Sequence, residues 1–301
     1  MRYDATLNGD TLALDDPVGQ SLSGGHAHLG RRLGRAATYL PEVATFSVVP
    51  PDADEAQWAE LARLLGPGQF ADMFSCPAVP PPDWEPVFVL EGRQMIWRGE
   101  SRSGGAPAET GVVELGPDHV PEMLDLVART RPGPFWPRTH ELGTYLGVRD
   151  RGVLVAMAGE RLRPPGWTEI SAVCTAPEAR GRGHAARLVG ALAARVTARG
   201  ERPFLHVAEA NTRATALYER LGFTTRRPVT FRGFRTPRRG GAEKAPPHPS
   251  AARVRGAAGA GPRQASHPRR AATRAAPASN AAPFSVPAVR ASLSAVTAWS
   301  P

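Results

Sequence analysis

The stretch VCTAPEARGRGHAARLVGALAARV, residues 173–196, constrains this chain more than any other, because it reads as a strand delivered through a glycine-arginine turn into a helix. EISAVCT, residues 169–175, has the length and apolar character of a buried strand. Beyond the turn, Leu188, Val189, Leu192 and Val196 recur at helical spacing, and Gly200 marks a stop. The turn Arg180-Gly181-Arg182-Gly183-His184-Ala185 has glycines where side chains would block a ligand, directly before a helix N-terminus. Free backbone N–H groups and the helix dipole favour an anion there, and two arginines add positive charge. A phosphate-bearing cofactor across this turn is the first expectation.

Gly181-x-Gly183-x-x-Ala186 also fits a dinucleotide fingerprint, with Glu209, closing the next strand FLHVAE, as the ribose-binding acid. In that fingerprint the glycines follow the strand almost at once, whereas residues 176–180 intervene here. A dinucleotide fold also needs further strand–helix units, and the foldable chain ends near residue 236.

A different pattern accounts for more residues. Arg180-x-x-Gly183-x-Ala185 resembles the acyl-CoA pyrophosphate loop of the GNAT (GCN5-related) N-acetyltransferases. AEANTRATALYERLGF resembles that superfamily's second motif through Asn211, Ala214, Leu217-Tyr218 and Gly222-Phe223, and WTEISAVCT resembles its central splayed strand. The likeness spans about residues 110–235 and is nearest to a poorly characterised bacterial branch. It implies an α/β (α+β) GNAT fold, a mixed, mostly antiparallel sheet flanked by helices. It also implies acetyl-CoA as co-substrate, with no metal, and transfer of the acetyl group to a primary amine by direct attack in a ternary complex. The acceptor would be a small-molecule or peptide amine. A noncatalytic acyl-CoA-binding or sensing protein is the alternative.

By the same resemblance, backbone groups of Val173, Cys174 and Thr175 receive the pantetheine arm and thioester. Arg180, Gly181, Arg182, Gly183, His184 and Ala185 hold the pyrophosphate. Asn211 either contacts the ligand or caps the following helix, and the two roles are compatible. Tyr218, seven residues on and hence on the same helical face, matches the acid that protonates the leaving thiolate; otherwise it packs as core. Glu169, eleven residues before Arg180, has the offset of the catalytic glutamate in the histone-acetylating branch. Partly buried, it would have the raised pKa of a general base; otherwise it is an exposed strand-end acid. Cys174 has no evident activating histidine.

The 301 residues carry a formal net charge of +9, but its distribution is uneven. Residues 237–301 hold ten Lys/Arg against one acid, residues 1–109 are net −7 and residues 110–236 are net +7. A basic half suits coenzyme A. The Ala/Pro/Arg-rich tail from residue 237 has no sustained apolar period, which predicts disorder and at most weak nucleic-acid binding. Two cysteines, Cys76 and Cys174, and the absence of an apolar span predict no membrane segment and a reducing, cytoplasmic setting.

Three units are expected: residues 1–109, containing a degenerate GNAT-like half, residues 110–236, the acetyltransferase domain, and the tail. Residues 1–22 have no periodic signal, and SGGHAHLGRRLGRAATYL reads as a helical or turn segment. Trp58, Leu61, Leu64 and Leu65 form a helical stripe, PVFVLEGRQMIW predicts a hairpin turning at Glu91-Gly92-Arg93, and residues 98–111 form a linker. Asp118 is the expected N-cap of the helix after it. His26 and His28 read as loop or substrate-edge residues. Phe135, Trp136, Arg138 and His140 are candidates to face the acceptor, or Phe135 and Trp136 to cap the core.

Overall fold

The computed structural model describes residues 11–99 and 111–238. Its first helix, α1 (Pro17–Ser23), starts at Asp16, whose carboxylate accepts from the Gly19 N–H, and buries Val18 and Leu22 with Leu14. Leu14, Val18 and Leu22 are spaced by four, so residues 11–22 do hold an apolar stripe that the sequence reading passed over. The next segment is turn and 3-10 helix only as far as Ala27–Leu29. It then forms a hairpin, β1 (Gly30–Leu33) against β2 (Ala36–Tyr39), turning at Gly34 with φ +56°, and β3 (Ser47–Val48) completes a three-stranded antiparallel sheet. Helix α2 (Glu55–Leu65) is held by a capping box in which Asp54 accepts from Gln57 N while the Gln57 side chain accepts from Asp54 N.

An eight-stranded sheet follows, in the order β4 (Phe70–Asp72), β11 (Phe223–Arg235), β5 (Glu85–Trp97), β10 (Arg202–Ala208), β9 (Trp167–Thr175), β8 (Val153–Glu160), β7 (Tyr145–Asp150), β6 (Val112–Leu115). All neighbours are antiparallel except β9 and β10. Strands β4 and β5 precede residue 110 in the chain yet lie in the same sheet as the strands after it, with β5 between β10 and β11.

The expected hairpin in residues 86–97 is instead part of one continuous strand, Glu85–Trp97. Gly92 pairs with Ala208 on one side and Val229 on the other. A Cβ there would meet the Phe231 ring at 2.4 Å, so this glycine admits an aromatic ring into a flat sheet and makes no turn.

Helices α3 (Val120–Thr130), α4 (His184–Ala198) and α5 (Thr212–Arg220) complete the architecture. Leu188, Val189, Leu192 and Val196 of α4 pack with Met123 and Leu126 of α3 in one core, as the helical spacing predicts. The N-terminal elements and the sheet share a second core around Phe46, Phe74, Trp167, Phe204 and Phe231. Asp118 is not the cap of α3. A 3-10 turn, Pro117–His119, precedes the helix, and the His119 ring accepts from the Gly116 N–H at 2.9 Å. Most of the expected linker and all but the first two residues of the tail lie outside the described residues. Among the described residues, no helix is long and apolar enough to cross a membrane.

Candidate active site

The site begins where the parallel pair ends. Strands β9 and β10 are in register only from Trp167 beside Arg202 to Glu169 beside Phe204. Beyond that point the two strands run on, to Thr175 and Ala208, without pairing. On its other side β9 keeps its partner: Thr175 opposes Ala156 and Ser171 opposes Gly159. One extra residue is accommodated between them, and Ala172 adopts φ +52°, the left-handed conformation that a bulge can impose on a residue with a small side chain. The bend and the lost pairing open a cleft of about 710 Å³.

Six consecutive residues of β9, Ile170 to Thr175, line this cleft, facing His206, Val207 and Ala208 of β10. Arg180 and Ala185 stand at the start of α4, and Asn211 and Tyr218 come from α5 and its cap. Asn211 does cap α5, its side-chain oxygen accepting from Ala214 N at 3.1 Å while the residue lines the cleft. Tyr218 is buried against Phe223, and burial pushes its phenol up to about 12, so it stays protonated at neutral pH.

The glycines at the head of α4 are needed for conformation. Gly181 and Gly183 have φ +79° and +77°, and a Cβ on either would meet no atom within 4 Å. The first intrahelical bond donor is Arg187, to the Gly183 carbonyl, so the preceding N–H groups of α4 have no acceptor in the helix. Arg131 and Arg213 also line the cleft. An open, positively charged loop at a helix N-terminus, continuous with unpaired strand edges, fits a phosphate-bearing chain such as coenzyme A.

Arg182 and His184 do not line the cleft; Arg182 pairs with Asp150 at 2.9 Å. Glu209, the alternative ribose acid, is ion-paired with Arg93 on the surface. Cys174 lines the cleft, but burial raises its thiol to about 11, which removes it as a nucleophile at neutral pH.

Glu169 is the main correction to the sequence reading. It is fully buried, which by itself would raise its pKa, but Arg161 and His206 more than offset burial and hold the carboxyl at about 2. Arg161 donates Nε–H to Oε2 at 2.8 Å and Nη2–H to Oε1 at 2.6 Å, and His206 donates Nδ1–H to Oε1 at 2.7 Å. With its proton on Nδ1, the His206 ring accepts at Nε2 from the Gln94 amide at 3.2 Å. Gln94 in turn donates to the Leu14 carbonyl and accepts from Arg226, which reaches Asp15. Arg161 and His206 line the cleft; Glu169 lies behind them. The signal for His206 was present in FLHVA, a polar residue at an interior position of an apolar strand. Arg161 had no such signal, because it follows the end of β8.

The loop residues expected near the acceptor lie elsewhere. Phe135 packs in the core against Tyr145, Arg138 is paired with Glu141, and the half-buried His140 contacts the Pro137 carbonyl. From that connection the cleft receives Arg131 and Pro132. His26 is no loop-edge residue either. It is buried, with Nδ1 on the Tyr39 hydroxyl and Nε2 on the Leu142 carbonyl.

The family model described as FR47-like protein matches residues 145–231, which contain β7 to β10, α4, α5 and most of β11. A GNAT-family candidate acetyltransferase from Novosphingobium aromaticivorans DSM 12444 is 39% identical, with a TM-score of 0.67 over 74% of this chain and 97% of that one. A GCN5-related N-acetyltransferase from Kribbella flavida, 16% identical with a TM-score of 0.51 over 75% of this chain and 96% of its own, shares the fold. No curated protein matches the chain. The chain belongs to the GNAT family of acyl-CoA-dependent N-acetyltransferases. Acetyl-CoA is the co-substrate used by acetyltransferases of that family.

Proposed function

We propose that this protein transfers the acetyl group of acetyl-CoA to a primary amine by direct attack within a ternary complex. The observation that carries the reading is the meeting, in one cleft, of the parted β9–β10 edges, Arg180 and Ala185 on either side of the left-handed glycines that open α4, and Tyr218. Residues 180–185 would bind the pyrophosphate, chiefly through backbone N–H groups, Arg180 and Ala185. The backbone of Val173, Cys174 and Thr175 would align the pantetheine arm and polarise the thioester carbonyl, with Asn211 beside it.

The amine nitrogen attacks the thioester carbon, the C–S bond breaks, and the Tyr218 hydroxyl gives its proton to the departing thiolate. Glu169 is ionised but engaged by three hydrogen bonds, so its part is to position Arg161 and His206. The amine therefore enters neutral, and the proton its nitrogen sheds on becoming an amide leaves through water, by which the Tyr218 phenol regains its own.

Thiol release from acetyl-CoA, followed across a panel of small and peptide amines, tests the reading. Amine-dependent release supports it. Tight CoA binding with no release for any amine would make this an acyl-CoA-binding or sensing protein.

A further inference from the structure

Arg161 is more than half of a buried ion pair. Its guanidinium has five N–H groups, of which Nε–H and one on Nη2 bind Glu169. Nη1 makes no hydrogen bond with any described residue, and it is not among the polar atoms sealed from solvent. The side chain retains 10% exposure and lines the cleft at the end where β9 and β10 part. The rings of Phe46 and Phe74 lie 5.1 and 4.6 Å from the guanidinium carbon and cover it. With Nε and Nη2 engaged by Glu169 and the side chain lining the cleft, Nη1 is the guanidinium nitrogen without a hydrogen-bond partner among the described residues.

A guanidinium used only to neutralise Glu169 would not need to reach the cleft, whereas this one keeps donors available there for a ligand. Asp72 is close enough to be felt electrostatically but makes no hydrogen bond to Arg161, and burial pushes its carboxyl up to about 7. No described carboxylate is hydrogen-bonded to Nη1.

We propose that the Nη1 edge of Arg161 receives a carboxylate of the substrate, making Arg161 a specificity-determining residue at the end of the cleft where β9 and β10 part. An arginine edge in a site of low dielectric favours an anionic, planar acceptor over a neutral one. The carboxylate belongs either to the acceptor, as in an α-amino acid, or to a dicarboxylic acyl group. The inference rests on the acyl-transfer reading for its location, and it is tested in a way that separates the two.

Thiol release by the wild-type protein is compared for an α-amino acid, its carboxamide and the amine lacking that group. In a second arm, malonyl- and succinyl-CoA are compared with acetyl-CoA for one acceptor. The carboxylate should win by about tenfold or more in kcat/KM in one arm, and that arm identifies its source. Arg161→Lys, which keeps the charge but loses the planar fork, should collapse the ratio toward one. If that variant does not fold, the double variant Arg161→Met, Glu169→Gln removes both charges together and should do the same. Ratios near one in both arms, or a preference unchanged in the folded variant, would overturn the proposal. If no thiol is released from any pair, acyl transfer fails. Calorimetry then decides the carboxylate site alone, using N-acetylamino acids against their amides and succinyl-CoA against acetyl-CoA. Tenfold tighter binding of a carboxylate retains the site, and equal binding removes it.

Discussion

Arg161 and Glu169 are joined by two parallel hydrogen bonds of 2.8 and 2.6 Å across the β8–β9 connection, at the point where the sheet begins to part. A carboxylate with both oxygens so engaged is an anchor and is unsuited to taking a proton from an amine. Glu169→Gln should therefore leave the pH–rate profile without the loss of an acidic limb. It should instead destabilise the fold by about 3–5 kcal/mol, the effect of leaving a buried charge without its partner. Urea unfolding at neutral pH measures it. Because the folded-state pKa is lowered, the stability Glu169 confers is present above its ordinary value of 4.5 and is lost as pH falls toward about 2. That loss should be missing in the glutamine variant.

Tyr218 retains its proton throughout the neutral range, since burial raises its phenol. Tyr218→Phe keeps the ring against Phe223 and removes only the hydroxyl. If it is the general acid, kcat should fall by about 10²–10⁴-fold with little change in KM for acetyl-CoA. Full activity in this variant would mean that the thiolate leaves unassisted.

Gly183 opens α4 with φ +77° beside open space. Gly183→Asp would put a carboxylate at the expected pyrophosphate position, and its left-handed backbone would cost about 1–2 kcal/mol of stability. The fold should survive while CoA binding disappears from calorimetry. Unchanged affinity would place the pyrophosphate elsewhere.

His26 ties α1 and β2 to the loop before β7 through Tyr39 and the Leu142 carbonyl. Burial lowers its pKa to about 4, against a smaller upward pull from that carbonyl. A depressed folded-state pKa means that stability present above about 6.5 is lost as pH falls toward 4. The loss should reach up to about 3 kcal/mol. Thermal denaturation between pH 8 and 4 should show this decline, and His26→Gln should flatten it while lowering stability at pH 8.

Local order along the chain determined much of this protein. The apolar run of residues 169–175, two glycines before a helical stripe, and Asn211 followed by Tyr218 two turns later each depend on near neighbours. Strand, turn and helix propensity act over just such distances. Family membership and the cleft-lining positions Val173, Cys174, Thr175, Arg180, Ala185, Asn211 and Tyr218 were legible for that reason.

What tertiary structure alone decided is the electrostatic character of the floor and the assembly of the sheet. Whether Glu169 has a raised or lowered pKa depends on groups brought from the end of β8 and from β10, and Arg161 lies behind no motif. Burial and ion pairing act on a carboxyl in opposite directions, so an acid in an apolar strand could not indicate which would win. The same holds for Gly92. A glycine flanked by polar residues resembles a turn until Phe231 of a strand far along the chain is seen to occupy the space a side chain would fill.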